Sequence, residues 1–205
     1  MTLADLIADT KDRIAEGSST FFTDATIKRW LNEAQRYVVR RTKIIERTKQ
    51  AETVPGVSLY ALEKDFWTLH FVKFNDDTLR PITINELEKR TPVKGTPSHY
   101  AVWGDGLHLY PAPSYVGTLT ILYYAWPVEM ENDTDEPEIP EAFHGLLPTF
   151  AAYRAKLADQ QPAEANIFFV EFQQGLEEII AAYTDRQDQV SRVRDVSDLG
   201  EFPWL

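Results

Sequence analysis

Apolar residues recur at intervals of three and four on both sides of a middle segment where they alternate with polar ones, a pattern that predicts helices flanking a β-rich centre. Thr2 can cap a first helix with Leu3, Leu6, Ile7 and Ile14 on one stripe, ending near Gly17. Thr23 or Asp24 can cap a second, in which Ile27, Trp30, Leu31, Ala34, Tyr37 and Val38 form the clearest helical periodicity of the chain. Strand-like segments begin near Glu52-Thr53-Val54, with a turn at Pro55-Gly56 before Val57-Ser58-Leu59-Tyr60. Phe66 to Phe74 is aromatic and β-branched, and Asn75-Asp76-Asp77 supplies turn chemistry before Thr78 to Ile82. Thr83 and Glu86 fit a capping box for a short helix through about Lys89.

The segment from Gly95 to Tyr124 then predicts three strands. Gly104-Asp105-Gly106 marks a tight hairpin, read with Asp105-Gly106 as the turn residues, and Pro111-Ala112-Pro113 removes backbone donors where the second strand must stop. Strand character ends at Trp126-Pro127. Pro140 suits the first turn of a third helix with Phe143, Leu146, Leu147, Phe150, Ala151 and Leu157 broadly on one side. Asp159-Gln160-Gln161-Pro162 breaks it, and a fourth helix carries Phe168, Phe172, Leu176, Ile179, Ile180 and Tyr183. Beyond Asp185 the chain turns polar, yet it ends in Phe202-Pro203-Trp204-Leu205. The expected fold class is therefore α+β: a four-helix bundle (1–50 and 139–185) with an inserted antiparallel β-barrel or sandwich module (51–128), and a flexible C-terminal tail (186–205).

At 205 residues the chain can bury a full core, and its 12% aromatic and 26% charged content is that of a folded protein. No apolar run approaches the ~20 residues that span a bilayer, so no membrane association is expected. The start, Met1-Thr2-Leu3-Ala4-Asp5-Leu6, lacks a signal-peptide pattern, which points to folding in a cytoplasm. The absence of cysteine removes disulfides, thiolate metal sites and thiol nucleophiles.

The net charge of −11 is unevenly spread. Lys28 to Lys49 holds eight basic residues, including Arg36, Arg40, Arg41 and Lys43, against Glu33 and Glu46. Glu129 to Glu141 holds seven carboxylates, including Glu131, Asp133, Asp135 and Glu136, and no basic residue. Such segregation suits a basic face on one copy meeting an acidic face on the next; two solvated surfaces are the alternative. The overall acidity argues against sequence-specific DNA binding by the basic segment.

Catalytic motifs are missing. There is no nucleophile elbow and no glycine-rich phosphate loop. Of His70, His99, His108 and His144, only His99 and His108 are near in sequence, and a hairpin in which Trp103 faces His108 separates them by roughly 13 Å at ~3.3 Å per residue. Asn132-Asp133-Thr134-Asp135-Glu136 has calcium-like oxygen chemistry without the glycine and distal glutamate of an EF-hand loop. No cofactor, metal or catalytic residue is expected. A rival reading takes Trp103, Tyr110, Tyr124 and Trp126 as an aromatic surface of a glycan- or receptor-binding β-module.

Particular phrases carry a resemblance: Trp30-Leu31-Asn32-Glu33-Ala34-Gln35-Arg36, Leu79-Arg80-Pro81-Ile82, Gly95-Thr96-Pro97-Ser98-His99-Tyr100, Leu107-His108-Leu109-Tyr110-Pro111-Ala112-Pro113 and Leu122-Tyr123-Tyr124-Ala125-Trp126-Pro127. In this order the chain, over about residues 2 to 185, resembles the head-to-tail adaptor (connector) proteins of tailed bacteriophages, in the gatekeeper or tail tubular protein A group. The resemblance implies a virion structural protein and no enzyme, synthesised in the host cytoplasm and located at the neck between head and tail. It implies a ring of about twelve copies that joins the portal protein to the tail nozzle or other tail proteins. Genome DNA would pass through the lumen without sequence-specific binding; the net charge of −11, apart from the resemblance, suggests acidic walls that repel it. Separately from the resemblance, the tail from Asp185 to Leu205 can be read as unstructured before assembly and docking on the portal through Phe202, Trp204 and Leu205, with Pro203 limiting the entropy lost; a frayed end is the alternative.

Overall fold

The computed structural model describes residues 1–14 and 22–197, with side chains described as far as Tyr183. In chain order the elements are α1 (Leu3–Arg13), α2 (Asp24–Thr42), β1 (Glu46–Glu52), β2 (Leu59–Ala61), β3 (Phe66–Phe74), β4 (Asp77–Thr78) and β5 (Arg80–Pro81). Then come α3 (Ile84–Glu88), β6 (Lys94–Gly95), β7 (His99–Trp103), β8 (Gly106–Tyr110), β9 (Ala112–Pro113) and β10 (Thr118–Ala125). A 3-10 turn at Glu141–Phe143 precedes α4 (Leu146–Ala158) and α5 (Pro162–Ser197). Met1–Ile44 with Pro127 onward form one compact unit and Ile45–Trp126 the other.

In the helical unit the caps follow from local chemistry. Thr2 accepts from Asp5 N–H while the Asp5 carboxylate accepts from Thr2 N–H, and Thr23 accepts from Thr26 N–H, so first-turn donors are satisfied by residues three away. α4 is the central element, packed on α1, α2 and α5. Leu147 to Ala152 are buried without interruption, followed by Ala155 and Lys156, so α4 is enclosed on several faces where the sequence suggested one. Tyr37, Phe150 and Phe172 join α2, α4 and α5, with ring centroids 5.0 to 5.9 Å apart. Gly175 admits Leu146, whose Cδ2 fills the space a Cβ at that position would need.

The β-unit holds a sheet of order β1-β10-β3-β4, a second of order β2-β8-β7-β5, and the pair β6-β9. Val72, Phe74, Leu107, Leu109, Leu119 and Ile121 are its fully buried centre.

Three expectations are corrected. The architecture is not a four-helix bundle: among the described residues there are five α-helices, of which α3 belongs to the β-unit, and α5 runs through Ser197, past the Asp185 where a flexible tail was expected. The β-unit is neither an antiparallel barrel nor an antiparallel sandwich. The sheet β1-β10-β3-β4 is antiparallel, but β5 joins the second sheet parallel to β7 and β6 pairs with β9 in parallel, and among the described residues none closes on itself. The predicted capping-box helix is the cause, because a chain that leaves β5 through α3 returns to the sheet in the same direction. Finally, Gly104 takes the positive φ of +57°, so the turn is Gly104-Asp105, Trp103 pairs with Gly106, and His108 faces Ala101.

Candidate functional site

On the helical unit, the 3.6-residue period places Lys28, Asn32, Gln35 and Arg36 along one flank of α2. The acidic segment that follows Pro127 lies against this flank. Asn32 Nδ2 donates to Met130 O at 3.0 Å, and its Oδ1 accepts from Met130 N–H at 2.9 Å. One turn on, Gln35 Nε2 donates to Val128 O at 3.1 Å while its Oε1 accepts from Glu138 N–H at 2.8 Å. Two side-chain amides thus stand in for a neighbouring strand, saturating backbone groups of a segment that has no sheet partner. Arg36 Nη2 reaches Glu129 Oε1 at 2.6 Å, and Lys28 Nζ donates to Glu131 O at 3.1 Å.

Further along, the Asp135 carboxylate accepts from Glu131 N–H and Asn132 N–H, both at 2.8 Å, closing a turn. These two bonds, that from Asn132 first, hold its pKa below the ordinary carboxylate value. The carbonyls of Asp135 and Asp133 accept from Leu3 and Ala4 N–H at 2.7 and 3.1 Å, satisfying free donors at the start of α1. The flank and the segment enclose an open groove of about 680 Å³ lined by Lys28, Arg29, Asn32, Glu33, Arg36 and Glu131.

Arg36 is engaged within its own chain, and the backbones of Glu131, Asp133 and Asp135 are fixed internally. The side chains of Glu131, Asp133 and Glu136 remain exposed. Arg40 lies over the Tyr37 ring at 5.4 Å, Arg41 is exposed, and Lys43 closes α2 in the left-handed region at φ 53°. Phe202, Pro203, Trp204 and Leu205 lie outside the described residues.

In the β-unit the aromatic set of the rival reading is not brought together. Trp103 is 66% exposed at the hairpin tip and Tyr110 stands at the far end of the same strand pair. Tyr124 is buried, and Trp126 packs on Trp67 at 4.9 Å. The histidines are also apart in role. His70 contacts Tyr124 Oη, His99 contacts Ser98 Oγ, and the buried His144 contacts Ile139 O. With His108 facing Ala101, His99 is two positions along rather than four, a diagonal separation of roughly 7–8 Å that corrects the wider spacing. Among the described residues no group of three or more His, Asp or Glu side chains gathers as a metal site, and no helix is long and apolar enough to cross a membrane. The sequence reading missed Asn32 and Gln35. Their signal was two amides three apart on an otherwise charged helix flank.

The family model of the SU10 adaptor protein matches residues 1–196. The chain belongs to this family of phage head-to-tail adaptors and is a structural component of the phage particle that contacts other head or tail proteins. No curated protein matches it.

Proposed function

We propose that the chain assembles into a closed ring of about twelve copies beneath the portal, joins it to the tail nozzle or another tail protein, and continues the channel through which DNA passes. It performs no catalysis. The family match over residues 1–196 carries this reading.

The distribution of charge supports it. Residues 45–126 hold nine carboxylates against eight cations, so nearly all of the net −11 resides in the helical unit. Exposed Arg40, Arg41 and Lys43 on one copy face Glu131, Asp133 and Glu136 on the next, a head-to-tail contact that closes a ring when its rotation is a whole fraction of a turn. The acidic remainder keeps DNA from adhering to the lumen. Phe202, Trp204 and Leu205 anchor the chain on the portal, with Pro203 limiting the entropy lost.

Electron microscopy of the protein mixed with the portal of its phage tests the proposal. A ring at the tail-facing end of the portal, with a continuous axial opening, is expected. Protein that stays separate from the portal overturns the reading, as does a ring whose channel is lined by Lys and Arg for the acidic lumen.

A further inference from the structure

In the β-unit, three strands align a row of side chains. Arg80 on β5 pairs with His99 on β7, and His99 pairs with Tyr110 on β8. Directly paired residues leave the same face of a sheet, so Arg80, His99 and Tyr110 stand side by side. Arg90, just beyond α3, lies over the Tyr110 ring at 4.9 Å and extends the row with a second guanidinium. The backbone holds this arrangement, as Arg80 N–H donates to Ser98 O and Ser98 N–H to Tyr110 O, both at 3.0 Å.

An open groove of about 370 Å³ lies along the Arg80 end, lined by Asp77, Thr78, Arg80, Thr96, Ser98 and His99. Three hydroxyls, an imidazole and a guanidinium converge there. Ser98 Oγ lies 2.9 Å from His99 Nδ1. Among the described residues the Arg80 side chain has neither a hydrogen bond nor an ion pair. Burial, then Arg90, then Arg80 hold the His99 pKa below its ordinary value.

We propose that this groove is a phosphate-binding site, taking either free phosphate or a phosphodiester of nucleic acid. The donors outnumber what a carboxylate can use: five N–H groups on Arg80, the Thr78 and Thr96 hydroxyls and the one proton that the hydrogen-bonded Ser98–His99 pair leaves free suit the three or four oxygens of a phosphate. The chain's acidity is no obstacle, because the near-neutral β-unit carries the site and charges beyond about 8 Å are screened at physiological salt. The site does not depend on the ring and is testable on the free protein.

The test follows the imidazole signals of the full chain by NMR during titration with inorganic phosphate, and separately with a short DNA duplex, at constant ionic strength. The His99 titration midpoint is expected to rise on binding. Arg80→Gln should weaken binding about tenfold, and Ser98→Ala should weaken it less. A response to DNA alone assigns the phosphodiester source, and one to inorganic phosphate alone or to both assigns the phosphate group itself; each supports the site. Silence of His99 in both titrations overturns it, as does an undiminished response in folded Arg80→Gln. So does a response elicited only by a peptide of residues 129–136.

Discussion

Asn32 and Met130, ninety-eight positions apart in sequence, exchange two hydrogen bonds through one side-chain amide. Met130 is buried, so removing the amide leaves a backbone donor and acceptor without partners or water. Asn32→Ala is expected to lower unfolding stability by about 1–3 kcal/mol. Asn32→Asp should cost at least as much, since a carboxylate cannot donate to Met130 O. Urea denaturation followed by circular dichroism checks both.

Gly117 tests the β-unit. A Cβ there would lie 2.5 Å from Phe74 Cζ and 2.9 Å from Asn75 Oδ1. Phe74 is fully buried with its edge on Tyr115, and Gly117 also exchanges bonds with the hydroxyl and N–H of buried Thr53, so neither side can retreat. Gly117→Ala should cost about 1–3 kcal/mol, read as an earlier denaturation midpoint.

Asp135 sets an acid limit on the helical unit. Its folded pKa is depressed by the Asn132 and Glu131 N–H groups. The stability this contributes is complete above the unfolded carboxylate value and is lost as pH falls through the lower folded value. Asp135→Asn should therefore lower the thermal midpoint at neutral pH, and the difference from the parent protein should close as both are acidified. A gap that persists at low pH would contradict the assignment.

Tyr123 behaves oppositely. Burial, and then the hydrogen bond its hydroxyl donates to Asp65 Oδ1 at 3.1 Å, push its pKa up to about 12. Because the neutral phenol is the favoured folded form, its contribution is intact below the unfolded value of 10.0 and disappears as pH rises through the folded one. Asp65→Asn removes the charge and should bring the Tyr123 midpoint down, visible in the phenolate absorbance.

Arg36 and Arg40 test the proposed contact between copies. The Arg36–Glu129 pair is exposed on both sides, 55% and 52%, so Arg36→Ala should change stability by less than about 1 kcal/mol and leave assembly intact. Arg40→Glu with Arg41→Glu should keep the fold and weaken association between copies by about tenfold, measured by analytical ultracentrifugation or ring counts in micrographs.

What the sequence disclosed was mostly local. Thr2, Thr23 and Thr83 act as caps because their partners lie three residues away, and Gln160-Gln161-Pro162 separates α4 from α5 for the same kind of reason. β1 escaped notice since Glu46 to Glu52 has no apolar face to advertise it; its pairing with β10 orders it. The hairpin register turned on which of two glycines takes positive φ, and Gly104, not Gly106, does. The charged segments were legible as segments. Their engagement within one chain was not, because no local spacing connects Lys28 to Arg36 with a stretch about a hundred residues away. The groove at Arg80 was hidden for a related reason, as it depends on a parallel register created by α3.

The two margins of the larger sheet have a consequence for how copies can join. One margin is β1, whose Glu46, Arg47, Lys49 and Glu52 crowd it with charge, and the other is β4, only two residues long. Neither offers a bare template onto which a foreign strand could zip, so this sheet resists the runaway stacking that seeds fibrils.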